Sequence, residues 1–136
     1  MHTTNYRDTF IGVAPDTRAS AASEPAPRDP PTIAQLHYEL IAEHPYAYTS
    51  DDVVFETFAR RAGIAADERE AARADFFSQG RPCLRSSPLG KTLGWGTHHD
   101  AEGRVALVPV ESEEYARLST DPALTQTRAM RTSRAR

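Results

Sequence analysis

The chain has 136 residues, a net charge of -3, 39% hydrophobic residues and 26% charged residues. This length suits one domain, because single cores usually form at roughly 100 to 200 residues, and the hydrophobic share, below the ~45–50% of typical globular chains, predicts that part of the chain lies outside the core. The charge balance excludes a general attraction to nucleic acids, and no apolar run approaches the ~20 residues of a membrane-spanning helix.

Few of the common chemical signatures occur in the sequence. Cys83 is the single cysteine, which excludes an internal disulfide and any zinc site that needs two or more thiolates. The motifs of phosphate-binding loops, dinucleotide-binding turns, zincins and hydrolases with a nucleophile elbow are absent. The start of the chain has neither the basic nor the apolar region of a secretion signal. We therefore expect a cytoplasmic protein with no cofactor and no metal.

The first third of the chain is predicted to hold one strand and one irregular segment. Residues 6–13 mix aromatic, β-branched and polar side chains, and the turn signal Ala14-Pro15-Asp16 follows them. This pattern is typical of a short strand before a turn. Residues 17–31 are rich in proline, alanine, serine and charge. Such a composition buries too little apolar surface to offset its ordering entropy, and it predicts a flexible connection.

A first helix is predicted to begin after Thr32. Gln35 lies three residues on, in the arrangement of a capping box, and apolar residues then recur at helical spacing. Pro45 disfavours helical geometry at the residue before it, so the helix should end there. His37 lies on the apolar stripe, where a satisfied, partly buried histidine is the simplest interpretation.

A second helix is predicted between a polar cap and a glycine. Thr49 or Ser50 caps its start, and Gly63 is suited to its end. Asp51 and Asp52 are explained by the preference for negative charge at a helix start, although they could also act as paired acids. The apolar stripe consists of Val54, Phe55, Phe58, Ala59 and Ala62.

The second half of the chain is predicted to change from helix to strand. A third helix covers residues 67–79, and residues 91–99 and 104–110 then alternate as the two strands of a β-hairpin. Pro109 cannot donate to a ladder, so the second strand should lie at an edge or end there. Ser112 is expected to cap a last helix.

These elements predict an α+β fold. The N-terminal strand and the 91–110 hairpin form a small antiparallel sheet, which is packed with three to four helices. Residues 1–124 form the single domain, and residues 125–136 form a basic tail with four arginines and no acid. The tail is interpreted as a solvated end, with weak contact to nucleic acid or an acidic partner as the alternative.

Residues 81–91 carry the densest group of potential ligand contacts. Arg85, Ser86, Ser87 and Lys91 can supply charge-assisted hydrogen bonds to a carboxylate or phosphate. The alternative is an ordinary connection, in which the arginine pairs with an acid and the serines satisfy the turn backbone. Both interpretations stay open at this point.

Three residues are candidates for catalysis: Cys83, His98 and His99. Cys83 is a nucleophile if a base lies close, or else a packed, inert thiol. The two histidines point to opposite faces if the segment is a strand, which argues against a shared metal ion. His98 lies near Gly94 and Gly96, which leave room for a ligand or for another backbone.

Three functions follow from these residues. The first is a binding module for a small anionic ligand, either a phosphate or a carboxylate. The residues predicted to contact that ligand are Arg85, Ser86, Ser87, Lys91, Trp95 and His98. The second is a small enzyme that uses His98 or His99 as acid/base, or Cys83 as nucleophile. The third is a protein-interaction module that uses the Pro-rich arm and the arginine tail. The sequence does not decide between them, nor does it give the oligomeric state.

Several segments together resemble a family of short bacterial proteins, about 130–140 residues long, that is catalogued as a domain of unknown function. The resemblance rests on MHTTNY at 1–6, TFI at 9–11, YAYTSDDV at 46–53, FFS at 76–78, CLRSSPL at 83–89, GWGTH at 94–98 and VESEEY at 110–115. It covers nearly the whole chain and implies a free-standing single domain, with no activity or site residue to carry over.

Overall fold

The computed structural model describes residues 1–132. Within this range the α-helices are α1 (Ile33–Ala42), α2 (Ser50–Ala62), α3 (Arg69–Phe76), α4 (Pro88–Lys91) and α5 (Glu113–Leu118). The strands are β1 (Thr9–Gly12), β2 (Trp95–His99), β3 (Val105–Pro109) and β4 (Thr125–Arg128). Short 3₁₀ helices cover Ala66–Glu68 and Leu84–Ser86. No helix in the described range is long and apolar enough to cross a membrane.

The strands form one mixed sheet in the order β3-β2-β1-β4, so the predicted α+β class is confirmed. The β2-β3 hairpin and β1 pair antiparallel as expected, and β3 ends at Pro109 on an edge of the sheet. β4 pairs parallel to β1 and comes from residues 125–128, which the sequence analysis assigned to the basic tail. The tail arginines Arg134 and Arg136 lie outside the described residues.

The capping residues predicted from the sequence lie at observed ends of α1 and α2. Thr49 and Asp52 form a complete capping box at the start of α2, and Gly63 ends it with a left-handed φ of 68°. Thr32 caps α1 by accepting from the Gln35 backbone. The Gln35 side chain does not close the predicted box, because its carbonyl oxygen accepts from the backbone nitrogen of Arg28 at 3.1 Å.

Three predicted elements are longer than the observed ones. The first strand was predicted at 6–13, and β1 covers only Thr9–Gly12. The third helix is shorter than 67–79, since a 3₁₀ turn precedes α3 and the helix ends at Phe76, where Phe76 and Phe77 enter the core. The hairpin begins at Trp95 and not at residue 91. Ser87 caps the short helix α4, and Pro88 occupies its first turn, so residues 88–91 are helical.

Residues 17–31 contain neither helix nor strand. They are held against the hairpin by hydrogen bonds from Ser23 N to Leu93 O at 3.0 Å and from Trp95 Nε1 to Ser23 O at 2.8 Å. Gly94 permits this approach, because a Cβ there would lie 2.6 Å from the carbonyl oxygen of Ala21. The flexibility of this segment stays a prediction.

In the described range the buried side chains form three clusters, of which one joins β1, β3 and α5 and the other two surround α2. Of the latter two, one joins α1, α2 and β3 through Leu40, Ile41, Val53, Leu84 and Val105. The other joins α2 to the end of α3 through Phe55, Ala59, Phe76 and Phe77. Together they join α1, α2 and the end of α3, and the cavity described next lies between these elements.

Candidate functional site

A cavity of about 570 Å³ lies between α1, α2 and the segment from the end of α3 to the start of α4. Most of its wall is apolar. The lining residues are Ile33, His37, Val54, Thr57, Phe58, Arg61, Ala62, Phe76, Arg81, Pro82, Cys83, Ser86 and Pro88. The five from α2 recur at helical spacing, so one face of that helix forms one wall.

Two arginines give this wall a positive charge. Arg81 stacks on Phe76, with its guanidinium carbon 4.2 Å from the ring centroid, and its Nε donates to the Phe76 carbonyl oxygen at 2.8 Å. Arg61 is exposed, and neither arginine forms an ion pair with another residue of the range 1–132. Among the described lining residues none is acidic. The cavity therefore favours an anion.

Thr57 lines the cavity, and its hydroxyl is buried without a protein partner in the described range. The residue is only 5% exposed, and its Oγ1 is buried with no hydrogen-bond partner in the described part of the chain. A buried hydroxyl without a partner costs about 1–3 kcal/mol, and most such groups in native structures are satisfied. Because this oxygen has no accessible surface, it does not face the open space of the cavity.

His37 contributes a second polar group from α1. Its Nδ1 lies 2.8 Å from Ser87 Oγ, so this nitrogen is satisfied, in agreement with the sequence interpretation. Burial lowers the pKa of His37 to about 4, which keeps the ring neutral at neutral pH. Because Nδ1 is engaged, Nε2 is the atom left to bind a ligand in the cavity. Ser87 itself is buried and also accepts from Leu89 N, which makes it a structural cap.

Cys83, a candidate nucleophile, lies in the cavity wall and is half-buried. Its Sγ lies 3.0 Å from the hydroxyl of Tyr6. Burial, followed by the hydrogen bond to Cys83, raises the pKa of Tyr6 to about 12, so the phenol keeps its proton. Either group can donate in this pair, the phenol O–H to the sulfur or the thiol S–H to the phenol oxygen.

The structure brings only one of the predicted anion contacts into the cavity. Ser86 lines it, with its Oγ donating to the Cys83 carbonyl oxygen at 2.7 Å. Arg85 instead donates from Nε to the Arg128 carbonyl oxygen at 2.7 Å, across to β4. Lys91 lies at the end of α4 and does not line the cavity. The anion contacts predicted for residues 81–91 thus lie on two sides of this segment, and only Ser86 lies on the cavity side.

Trp95 and His98 lie elsewhere in the structure. The Trp95 ring packs against Tyr38 with a centroid separation of 5.6 Å, beside the 17–31 segment. His98 Nδ1 lies 2.7 Å from the hydroxyl of Tyr46 on the surface of the sheet. Neither residue lines the cavity.

His99 lies in the core. It is fully buried, its Nε2 lies 3.1 Å from Thr97 Oγ1, and its ring packs edge-on against Tyr6. Its Nδ1 has no hydrogen-bond partner within residues 1–132. Burial lowers the pKa of His99 to about 4, with a smaller contribution from His98. His98 and His99 thus face opposite sides of β2, as strand geometry predicts.

The room beside Gly96 is filled by the protein itself. A Cβ at Gly96 would lie 2.7 Å from the Phe10 ring and 2.9 Å from the Tyr115 ring. The sequence left open whether Gly94 and Gly96 make room for a ligand or for another part of the chain. The structure shows close approach by the chain. In the described range, no group of three or more His, Cys, Asp or Glu residues is arranged to hold a metal ion.

Sequence reasoning did not identify the cavity residues Thr57 and Arg61, and it counted Arg81 among the basic residues of the 81–91 segment without naming it as a ligand contact. A signal for the first two exists, because Thr57 and Arg61 are four residues apart and share a helix face with Phe58. The sequence analysis assigned that apolar stripe to the core, but Phe58 is 40% exposed at the cavity. For Arg81 we find no such signal beyond its place in the basic 81–91 segment.

Comparison with known proteins supports the resemblance noted from the sequence. No curated protein matches the chain, and no solved structure does. The sequence model of the Family of unknown function (DUF6157) matches residues 1–135. This match covers nearly the whole chain, including the segments from 1–6 to 110–115 on which the resemblance rests. The chain therefore belongs to DUF6157, a family of unknown function.

Proposed function

We propose that this protein is a binding module for a small molecule that has an apolar body and an anionic group, either a carboxylate or a phosphate. The observation that carries the proposal is the composition of the cavity wall. It contains two arginines that lack an ion-pair partner in the range 1–132 and, among its described residues, no acid. The proposed ligand is of the kind predicted from the sequence, and of the residues predicted to contact it only Ser86 lines this cavity.

The size and lining of the cavity suit an apolar ligand body. Its volume of about 570 Å³ lies within the roughly 300–1,000 Å³ of small-molecule sites, which are mainly apolar with few polar groups. Ile33 and Phe58 leave 42% and 40% of their surface exposed at this site. Covering them would remove apolar surface from water and so favour binding.

Arg81 and Arg61 supply the anion contacts. The Nε of Arg81 is held by a backbone carbonyl and its plane is stacked on Phe76, so the two terminal nitrogens are pre-organised for a bidentate contact. Arg61 lies at the last turn of α2 and is not restrained by a salt bridge to any described residue. We therefore assign the larger share of the anion affinity to Arg81.

His37 orients the ligand body. Its ring is neutral and offers Nε2, because Nδ1 is engaged by Ser87. A buried site built to hydrogen-bond a ligand group discriminates against ligands that lack the group, since its own polar atoms then stay unpaired. His37 would set specificity, whereas the arginines set charge preference.

A matched pair of ligands tests the proposal. The thermal shift and binding isotherm of the full chain are measured with phenylbutyrate and with phenylbutylamine, which share an apolar body and differ in charge. We expect the carboxylate to raise the melting temperature by mass action, and the amine to have no effect. Octyl phosphate tests the phosphate form of the same proposal.

Arginine variants complete this test. Arg61→Gln combined with Arg81→Gln should weaken carboxylate binding at least about tenfold, because charge-assisted contacts are lost. Arg104→Gln is the matched control, since Arg104 is exposed and lies outside the cavity. Equal shifts with the carboxylate and the amine, or no effect of the double variant, would contradict the proposal.

The other two hypotheses have less support. His98 and His99 lie outside the cavity wall, and each ring is hydrogen-bonded to a neighbouring hydroxyl. The 17–31 arm is hydrogen-bonded to the hairpin at Ser23, which leaves less of it to bind a protein partner. A free thiol at Cys83 is compatible with a reducing compartment, and we propose the bacterial cytoplasm as the setting.

A further inference from the structure

We infer that His37 presents a neutral N–H donor to the cavity at Nε2, and that the ligand therefore carries a neutral acceptor, such as a ketone or amide carbonyl, in addition to its anionic group. The inference rests on the proposed function, because it concerns the same cavity and the same ligand. It adds to that function the chemical class of the ligand: a carboxylate or phosphate with a carbonyl oxygen on its apolar body.

The first support is the accessibility of His37 Nε2. His37 lines the cavity and is 7% exposed. Its Nδ1 lies against Ser87, and Nε2 has no hydrogen-bond partner among residues 1–132. In this range the buried side-chain atoms with neither a partner nor accessible surface are Thr57 Oγ1 and His99 Nδ1. His37 Nε2 is not one of them, so it retains accessible surface, and this surface faces the cavity that the ring lines.

The second support is the hydrogen bond between His37 and Ser87, which fixes the position of the ring proton. Ser87 is buried, and its Oγ already accepts from Leu89 N at 3.3 Å. In the described range its hydroxyl hydrogen has no acceptor other than His37 Nδ1, at 2.8 Å. Since a buried hydroxyl is seldom left without a partner, Ser87 donates to Nδ1. Nδ1 then has no proton, and the ring proton is on Nε2.

The His37 ring keeps this single proton at neutral pH. Burial lowers the pKa of His37 to about 4. Among the described lining residues there is no acid that would stabilise an imidazolium. Nε2–H is therefore a neutral group that donates and does not accept.

The division of roles between His37 and the two arginines sets the kind of acceptor. Arg61 and Arg81 are charged and have only N–H donors, so an anionic group binds them through charge-assisted hydrogen bonds, which are roughly twice as strong as neutral ones. The Nε2–H group of His37 is then left for an uncharged oxygen. A ligand body without such an oxygen would displace water from Nε2–H and leave the donor unpaired, which weakens binding.

Two oxo acids with the phenylbutyrate skeleton test the inference on the full chain. Benzylpyruvate and benzoylpropionate each have a carbonyl in place of one methylene, the first beside the carboxylate and the second beside the ring. Their dissociation constants are measured by isothermal titration calorimetry and compared with that of phenylbutyrate. We expect at least one oxo acid to bind about fivefold more tightly, which is the gain from one neutral hydrogen bond. Equal or weaker binding by both would contradict the inference.

A histidine variant assigns this gain to Nε2–H. His37→Phe keeps an aromatic ring in the cavity wall but has no donor, so the preference for the oxo acid over phenylbutyrate should vanish. His44→Phe is the matched control and should retain the preference, since His44 is exposed and lies outside the cavity wall. Melting temperatures without ligand show that both variants are folded. A preference that persists in His37→Phe would assign the carbonyl contact to another residue and overturn the inference.

The position of the ring proton is measured on the unaltered chain, so this test does not depend on a variant that folds. Long-range proton–nitrogen NMR spectra at neutral pH distinguish a protonated from an unprotonated ring nitrogen. We expect a protonated Nε2 and an unprotonated Nδ1 for His37, and a shift of the Nε2–H signal when the oxo acid binds. A protonated Nδ1 would make Nε2 an acceptor and would show that the inference is wrong.

The outcomes separate this inference from the proposed function. If phenylbutyrate binds but neither oxo acid binds more tightly, the inference is wrong and the binding function stands. If none of the three carboxylates binds, both are wrong. Tighter binding of an oxo acid that depends on His37, together with a protonated Nε2, supports both.

Discussion

Buried polar groups are hydrogen-bonded on one side of α2 and lack a partner on the other, within the described residues. At its first turn the Asp51 carboxylate accepts from Thr4 N at 2.6 Å, from Thr4 Oγ1 at 2.7 Å and from Thr3 Oγ1 at 2.7 Å. Asn5 Oδ1 in turn accepts from Asp51 N at 2.8 Å. We call this group of four residues the N-terminal anchor. On the cavity side, two turns further on, Thr57 has no partner in the described range.

The charged residues of α2 show the same contrast. Glu56 pairs with Arg60 and with Arg69, and these side chains lie away from the cavity. Arg61, one residue after Arg60, faces the cavity and pairs with no described acid. Structural polar groups in this helix are therefore satisfied within the chain. The exceptions in the described range are the Thr57 hydroxyl, which is buried, and Arg61, which lines the cavity.

Acid should produce the largest change, because it charges two buried histidines, His37 in the cavity wall and His99 in the sheet. Burial lowers both pKa values from 6.5 to about 4. The free energy of unfolding is then greatest above pH 6.5 and falls as the pH drops from 6.5 to about 4, since the unfolded chain takes up the protons first. The loss should reach up to roughly 3 kcal/mol for each histidine.

Urea unfolding across this pH range measures the loss. His37→Gln and His99→Gln should each remove about half of the pH dependence of the unfolding free energy. The first variant measures the contribution of the cavity wall, and the second measures that of the sheet. His44→Gln is the control, since His44 is exposed. An unfolding free energy that stays constant between pH 6.5 and 4 would show that these rings are not held neutral by burial.

Among single substitutions on the two sides of α2, removal of the Asp51 carboxylate should cause the largest loss of unfolding free energy. Asp51→Ala leaves the Thr3 and Thr4 donors without their acceptor, and we expect the unfolding free energy at pH 7 to fall by about 3 kcal/mol. Asp67→Ala, at an exposed position, should change it by less than about 0.5 kcal/mol. Urea denaturation of both variants checks this, and equal effects would mean that the N-terminal anchor contributes little.

The same substitution at two threonines should have opposite signs. Thr4 and Thr57 are both 5% exposed, but only Thr4 is hydrogen-bonded. Thr4→Val should destabilise by about 1–2 kcal/mol, whereas Thr57→Val should be neutral or stabilise by up to about 1 kcal/mol, because no hydrogen bond is lost.

Chemical denaturation of the two valine variants, in the absence of ligand, measures this difference. A clear loss of stability in Thr57→Val would indicate that its hydroxyl has a protein partner in solution. The contrast between the two sides of α2 would then not extend to Thr57.

The helix ends were predictable because their signals are local. The Thr49 cap and the Gly63 stop need only neighbouring residues, and both occur as expected. The 91–99 strand was predicted too long, because the capping of α4 by Ser87 was not recognised. β4 was missed because it is a short strand of four polar residues that pairs with β1, more than a hundred residues away in the sequence. No local hydrophobic period indicates such a pairing.

The site was predictable only in part. Cys83 and Ser86 were singled out for their chemistry and do lie in the cavity wall. Arg85, two residues from Cys83, was singled out on the same grounds and contacts Arg128 on β4. Side chains of one short segment leave it in different directions, so their chemistry gave the kind of ligand but not the set of residues that surround it.

The sequence by itself determined the α+β class, the capped helices, the hairpin and the family, since each depends on local patterns or on similarity along the whole chain. The tertiary structure alone decided which polar groups meet. Thr57 and His37 come from different helices and Arg81 from a loop, and only the packing of α1, α2 and the end of α3 brings them to one cavity. Helical spacing shows which residues share a face, whereas packing determines whether that face contacts the core or a ligand.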